Sequence, residues 1–330
     1  MPNRTSPRTP ACPTSDASQT KSAGLLGGPV PILTAAVLWG TTGTAGSLAP
    51  AGVPAAAVGC AGLTLGGLLL FLTSRGARAL PAACTRTERW LLGVGAPAVA
   101  GYPVTFYPAV GRTGVAVATV VALGSAPVFA GLLSWIAGGG RPAARWAGAT
   151  AAAVLGCTLL VLGPGLAGRA TPVDLTGIAL AAAAGLSYAV YSLIGGRLIT
   201  RGHPSDAVMG VLFGAAALLV LPIVLSAGAQ WLAGVRGAAV ALHLAVFTVY
   251  LAYRLFGRGL RHTGVSVATT LTLAEPAVAA VLGVTVLGER LPVASWCGLA
   301  VLALGLALLT APVGGKRTGR GERQERQAER

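Results

Sequence analysis

Charge is what this chain has least of. Only 10% of its 330 residues are Asp, Glu, Lys or Arg, and nine are acidic. With 54% hydrophobic residues and a mean hydropathy of +0.73, too little polar surface remains to cover a soluble globule of this length, so a bilayer must be its solvent. Histidine is scarce too, with three residues, at positions 203, 243 and 262. No HExxH, no GxSxG and no paired aspartates occur within the apolar runs, which leaves intramembrane hydrolysis without a nucleophile, a base or a metal cluster and argues against an enzyme. The five cysteines, Cys12, Cys60, Cys84, Cys157 and Cys297, are odd in number and lack CxxC or metal-ligand spacing. Three of them fall in apolar runs as small fillers. No GxxxxGK[ST] loop is present, and the GxGxxG match at Gly163, Gly165 and Gly168 lacks the strand and helix that a dinucleotide fingerprint needs. No cofactor and no metal site is expected.

What the chain does have is long apolar runs. Windows of about 20 residues give ten spans: Pro29 to Leu48, Val53 to Thr73, Trp90 to Val110, Thr113 to Ile136, Trp146 to Leu162, Leu175 to Ile194, Ala207 to Leu225, Gly237 to Phe256, Gly264 to Val286 and Ala294 to Thr310. The 48 glycines suit such helices, because small residues let them approach where lipid supplies no hydrophobic push; Gly62 and Gly66 form one GxxxG pair. Trp90, Trp135, Trp146, Trp231 and Trp296 fall near span ends, at headgroup level, whereas Trp39 lies inside span one.

The formal charge of +15 could suggest a nucleic-acid partner, but the placement of the charges decides otherwise. Of 24 lysines and arginines, all but Arg112, Arg169, Arg236 and Arg290 fall on the termini, on even-numbered connections or, for Arg254, at the end of span eight that leads into one. That asymmetry is the positive-inside pattern of ten spans with both ends cytoplasmic, in a multi-pass protein of the cell membrane. No folded soluble part remains to present a basic face to nucleic acid. The partners expected are membrane lipid, a small-molecule solute and, for coupling, protons. The sequence does not set the oligomeric state.

Residues 112–124, RTGVAVATVVALG, return at 262–274 as HTGVSVATTLTLA, which marks an internal duplication. Each unit has five spans, so the second enters the membrane from the opposite side: an all-α integral membrane protein of ten transmembrane helices in two inverted-topology repeats. The division expected is a disordered polar leader (1–28), a first repeat (29–162), a linker (163–174), a second repeat (175–312) and a basic tail (313–330). Inverted halves around a midplane site provide for alternating access by rocking of one half against the other. The cavity is expected between spans one, three, four, six, eight and nine. A receptor or structural membrane protein is the rival reading, which the inverted duplication disfavours.

Polar residues stranded in lipid-facing runs are the candidates for function. Glu275 is the one acidic residue within a span. An ionised carboxylate is costly there, so it should face the bundle interior, where it can exchange protons or meet a cationic amine. Pro276, next to it, frees a carbonyl one turn earlier. The corresponding stretch of span four, Ser125 with Pro127, is neutral. His243 in span eight is a second ionisable candidate. Trp39 and Thr42 in span one, Tyr102 and Phe106 in span three, Tyr188 and Tyr191 in span six, and Tyr250 and Tyr253 in span eight are candidate cavity walls, since a small-molecule site combines aromatic surface with a few polar groups.

The stretches TAAVLWGTTGTAGS in span one, ALGSAPVFAGLLSW in span four and LAEPAVAAVLGVTVLGERLP through span nine, set in two repeats, resemble the EamA-type permeases of the drug/metabolite transporter superfamily. The resemblance covers about residues 29 to 312. It implies export of small metabolites, amino acids and related compounds among them, through the inner membrane. The first half departs from the pattern in carrying Gly140 where the family usually has the acid of its GE motif.

Overall fold

The computed structural model describes residues 27–162 and 174–311, apart from positions 139, 229, 287 and 289. The leader up to residue 26, the linker up to 173 and the tail from 312 lie outside them. Every regular element among the described residues is helical: α1 (Pro29–Ser47), α2 (Ala55–Thr73), α3 (Leu80–Ala83), α4 (Arg86–Ile136), α5 (Ala144–Leu162), α6 (Leu175–Thr200), α7 (Ser205–Ser226), α8 (Gln230–Ala233), α9 (Val235–His243), a π-helical stretch (Leu244–Leu251), α10 (Ala252–Leu260), α11 (Val265–Leu271), α12 (Ala274–Val286) and α13 (Val293–Thr310).

Eight helical runs are long and apolar enough to cross a membrane, with Val235–Leu260 and Val265–Val286 each counting as one. The 51-residue α4 would be roughly 75 Å long at 1.5 Å per residue, against about 30 Å of hydrocarbon, so it supplies two crossings. The tenth is α1, whose Thr41, Thr42 and Thr44 make it less apolar. Ten crossings in two inverted repeats follow.

The boundaries differ from the sequence reading in three informative places. Instead of a break between Val110 and Thr113, α4 stays helical to Gly114, where φ 81° and ψ 160° turn the chain. That conformation is open to the residue without a Cβ. At the matching corner of the second repeat, Gly264 is the extended residue before α11. Spans six and eight run on to Thr200 and Leu260, because arginine can continue a helix while its head reaches out of lipid; Arg197 donates to the Ala137 carbonyl at 2.9 Å. Span nine is not one helix but α11 and α12, parted at Thr272–Leu273. The missing N–H of Pro276 removes one rung there, and Glu275 N–H bonds the Thr272 carbonyl in a tighter turn, at 3.0 Å.

The packing has the two-fold character expected of a duplication. Helix α5 packs on α13, α2 on α7, and α4 along α6, while α1 contacts the two halves of span nine and span eight. Gly156 and Gly298 face each other's backbone across the α5–α13 pair, which is how membrane helices gain contact area. Gly66 does the same for α2, since a Cβ there would stand 2.5 Å from Cβ of Val249. The GxxxG pair noted in the sequence is thus a contact with span eight. Trp90, Trp135 and Trp296 are about half exposed or more, as headgroup-level rings should be.

Candidate functional site

A cavity of about 200 Å³ lies between the two repeats. Drug-sized ligands occupy pockets of about 300–1,000 Å³, so this one suits a small solute. Its wall is mostly aromatic and hydroxylated: Trp39 and Thr42 from α1, Tyr102, Phe106, Tyr107 and Thr119 from α4, Tyr188 and Tyr191 from α6, Thr248 and Tyr253 from span eight, with one carboxylate, Glu275.

Local sequence explains why these groups converge. Prolines 97, 103 and 108 interrupt the first arm of α4, and Pro103 is itself part of the wall. Tyr102 and Phe106, one turn apart, stack with centroids 5.5 Å apart and planes 12° from parallel. In span eight the π-helical winding around Thr248 loosens the i to i−4 ladder, and the indole N–H of Trp39 donates to the Thr248 carbonyl at 2.8 Å. One buried hydrogen bond thereby ties the first repeat to the second. Trp39 also packs against Tyr253 at 4.9 Å and edge-on to Tyr188 at 6.4 Å.

Toward the face that carries connections two to three and six to seven, the cavity is closed. The hydroxyls of Tyr191 and Tyr253 are 2.9 Å apart, Phe213 packs tilted against Tyr253 with ring centroids 3.9 Å apart, and the fully buried Phe256 and Leu260 follow in span eight. The remaining wall residues belong mainly to the other halves of their spans, nearer Gly114 and the start of α6.

Glu275 is held at the break in span nine. Tyr188 donates to the Thr272 hydroxyl at 3.0 Å, and Thr272 donates to the Thr269 carbonyl at 2.8 Å. Gly40 of α1 lets the broken segment approach, since a Cβ there would stand 3.0 Å from the Glu275 carbonyl. Gly185 of α6 plays the mirror role against Ala122 and Ser125 of α4. Among the described residues no hydrogen-bond donor or salt-bridge partner meets the Glu275 carboxylate.

Five of the residues singled out in the sequence are not in the wall. Ser125 turns back to the Ala122 carbonyl at 3.2 Å. Pro127 and Pro276 are buried in helix packing. Tyr250 accepts from Arg254 at 2.7 Å, with the guanidinium over its ring. The imidazole of His243 lies 2.9 Å from the Thr41 hydroxyl, which also reaches the Leu38 carbonyl at 2.7 Å. Conversely, spans two and seven enter the wall through Gly59, Gly62, Leu63 and Phe213. No polar signal marked them; a glycine wall is legible only once Tyr107 is seen to occupy the space that a side chain at 59 would need.

One further cluster joins the repeats, outside the membrane spans. Thr85 and Glu88 form a reciprocal capping box at the start of α4. The same carboxylate lies 3.4 Å from Arg201 and 3.5 Å from Nε2 of His203, and Cys84 Sγ is 4.0 Å from that nitrogen. Hydrogen bonds from Thr85, then from His203, hold the Glu88 carboxyl down to about 2. Burial, and then the Glu88 charge, push the Cys84 thiol up. The sequence reading expects no metal site because the cysteines lack metal-ligand spacing; Cys84 and His203 are 119 positions apart and meet only in the fold.

Comparison with known proteins agrees with this architecture. Residues 26–162 and 175–311 each match the EamA-like transporter family. The chain is 36% identical over 283 residues to the uncharacterized transporter YwfM of Bacillus subtilis (strain 168), covering 85% of this chain and 92% of that one. It is 38% identical over 152 residues to the threonine/homoserine exporter RhtA of Escherichia coli (strain K12), there covering 46% of this chain and 48% of that one. A protein of known crystal structure shares the fold with a TM-score of 0.70 at 24% identity, over 87% of this chain and 96% of that chain. The two matched stretches together with the near full-length similarity to YwfM establish that the chain belongs to the EamA-like transporter family.

Proposed function

We propose that this transporter exports a small amino-acid-like solute across the cytoplasmic membrane by alternating access around the inter-repeat cavity, with Glu275 coupling the movement to protons. The observation that carries the reading is the carboxylate itself, in the cavity wall without a partner among the described residues. A structural role for a membrane carboxyl would need a neighbouring helix to bond it, since an unpaired polar group in hydrocarbon is costly. A solute ammonium or a proton is the natural counterpart of an unpaired one. The aromatic wall and the hydroxyls of Thr42, Thr119, Tyr188 and Tyr191 supply apolar contact and hydrogen bonds for a small zwitterion.

The orientation proposed has both termini in the cytoplasm, supported by the basic residues gathered on the even connections. In that orientation the Tyr191–Tyr253 closure faces the cytoplasm, so the arrangement corresponds to an outward-facing state. The two five-helix units, 29–162 and 175–312, are the proposed moving bodies. The amino-acid cargo draws on RhtA, which matches over about half its length and is named a threonine/homoserine exporter.

Flux of a radiolabelled amino-acid and small-amine panel in proteoliposomes tests the reading. At least one member should move with wild type and be slowed at least tenfold by Tyr102→Trp, which fills the cavity. If no panel member moves, the cargo class is wrong. If the panel moves equally well in the filled variant, the cavity is not the pathway.

A further inference from the structure

We propose that Cys84, Glu88 and His203 form a binding site for a thiophilic divalent cation of the zinc type, joining the two repeats outside the membrane. Their ligand atoms all lie within 4.8 Å of one another, with 4.0 Å from Cys84 Sγ to His203 Nε2 and 3.5 Å from that nitrogen to Glu88 Oε2. Around a tetrahedral zinc ion with bonds of about 2.3 Å to sulfur and about 2.0–2.1 Å to nitrogen or oxygen, such atoms stand roughly 3.4–3.6 Å apart. The His203–Glu88 separation already matches that spacing, and the Cys84–His203 separation exceeds it by about half an ångström.

The three ligands are held by their backbones. The Cys84 N–H bonds the Leu80 carbonyl at 3.0 Å, and the His203 N–H bonds the Leu198 carbonyl at 3.2 Å. The capping box fixes Glu88. Cys84 and Glu88 are buried, at 5% and 7% exposure, so the site is shielded yet extramembrane. A thiolate, an imidazole and a carboxylate select zinc over magnesium or calcium, which take all-oxygen sets. Three protein ligands leave a fourth position for water or a solute group. Arg201 is the competing cation, 3.4 Å from the far carboxylate oxygen, but its side chain is 51% exposed and free to swing into solvent. Cys84 and Glu88 belong to the first unit and His203 to the second, so a bound ion links them.

The test is a Co²⁺ titration of the full chain in detergent, followed by thiolate-to-cobalt charge-transfer absorption, with Zn²⁺ as competitor. Wild type should show a saturable band at one equivalent, displaced by Zn²⁺ and untouched by excess Mg²⁺ or Ca²⁺. Cys84→Ser, close to isosteric, should abolish the band. His203→Gln should weaken binding at least as much as loss of an outer-shell partner does, roughly 10–100-fold. Zn²⁺ should also raise the melting temperature of wild type and leave Cys84→Ser unchanged, because an ion that binds only the folded chain stabilises it. A band that persists in Cys84→Ser, or its absence from wild type, overturns the proposal.

Discussion

Removing the hydroxyl of Thr272 should harm this protein more than removing the hydroxyl of Tyr188, although the two share one hydrogen bond. Tyr188 donates to Thr272 at 3.0 Å, and Thr272 passes its own proton to the Thr269 carbonyl at 2.8 Å. Tyr188→Phe leaves Thr272 still donating, so it forfeits a single acceptor contact, about 0.6 kcal/mol on average for a membrane hydrogen bond and at most about 1.7. Thr272→Val breaks two bonds and strands a buried phenol and a backbone carbonyl at the break in span nine, so about 1–3 kcal/mol is expected. With both changes the phenol is gone, and the double variant should be less unstable than the sum of the singles. The assay is a double-mutant cycle read by SDS-induced unfolding in mixed micelles. Equal costs for the two single variants, or strict additivity, would refute the directional chain Tyr188 to Thr272 to Thr269.

Other expectations follow from particular contacts. Gly156→Leu should destabilise the fold by about 1–3 kcal/mol or more through overpacking, because the backbone of span ten occupies its side-chain space; thermal unfolding in detergent reads this, and Gly148→Leu, in open space, is the silent control. Asp174→Ala should lower the melting temperature, since its carboxylate caps α6 by accepting from Gly177 N–H at 3.0 Å. Arg112→Ala should lower it less, as its pair with Asp174 is exposed; a reversed order would sink the capping argument. The Glu88 carboxyl is held down to about 2 from its ordinary 4.5. Its contribution is therefore present above that ordinary value and is lost as pH falls from 4.5 toward 2. Melting curves of wild type should lose stability over that window more steeply than those of Glu88→Gln.

The fold was legible because its causes are local. Span length, tryptophan placement and the repeated RTGV and HTGV corners each act over a few residues, and they dictate ten crossings in two inverted units. The corner geometry was less visible: only a backbone able to take φ 81° distinguishes a kink at Gly114 from a loop before it. Among site residues, Glu275, Trp39 and the tyrosines stood out because polar or amphipathic groups in lipid need a reason to be there. Tyr250 satisfied the same criterion but is turned to Arg254, and one rotation along a helix separates the two fates. Gly59, Phe213 and the Cys84–Glu88–His203 cluster were invisible because their meaning lies in contacts between distant segments.

The claim that most needs a direct measurement is coupling at Glu275. For whichever solute moves, proteoliposomes loaded with a pH-sensitive dye should report proton movement driven by a solute gradient. With wild type, the solute gradient should drive protons across the membrane. Glu275→Gln, neutral and of nearly the same shape, should abolish that proton movement while solute exchange continues. Proton movement undiminished in Glu275→Gln would contradict the account and leave the carboxylate without a part in coupling.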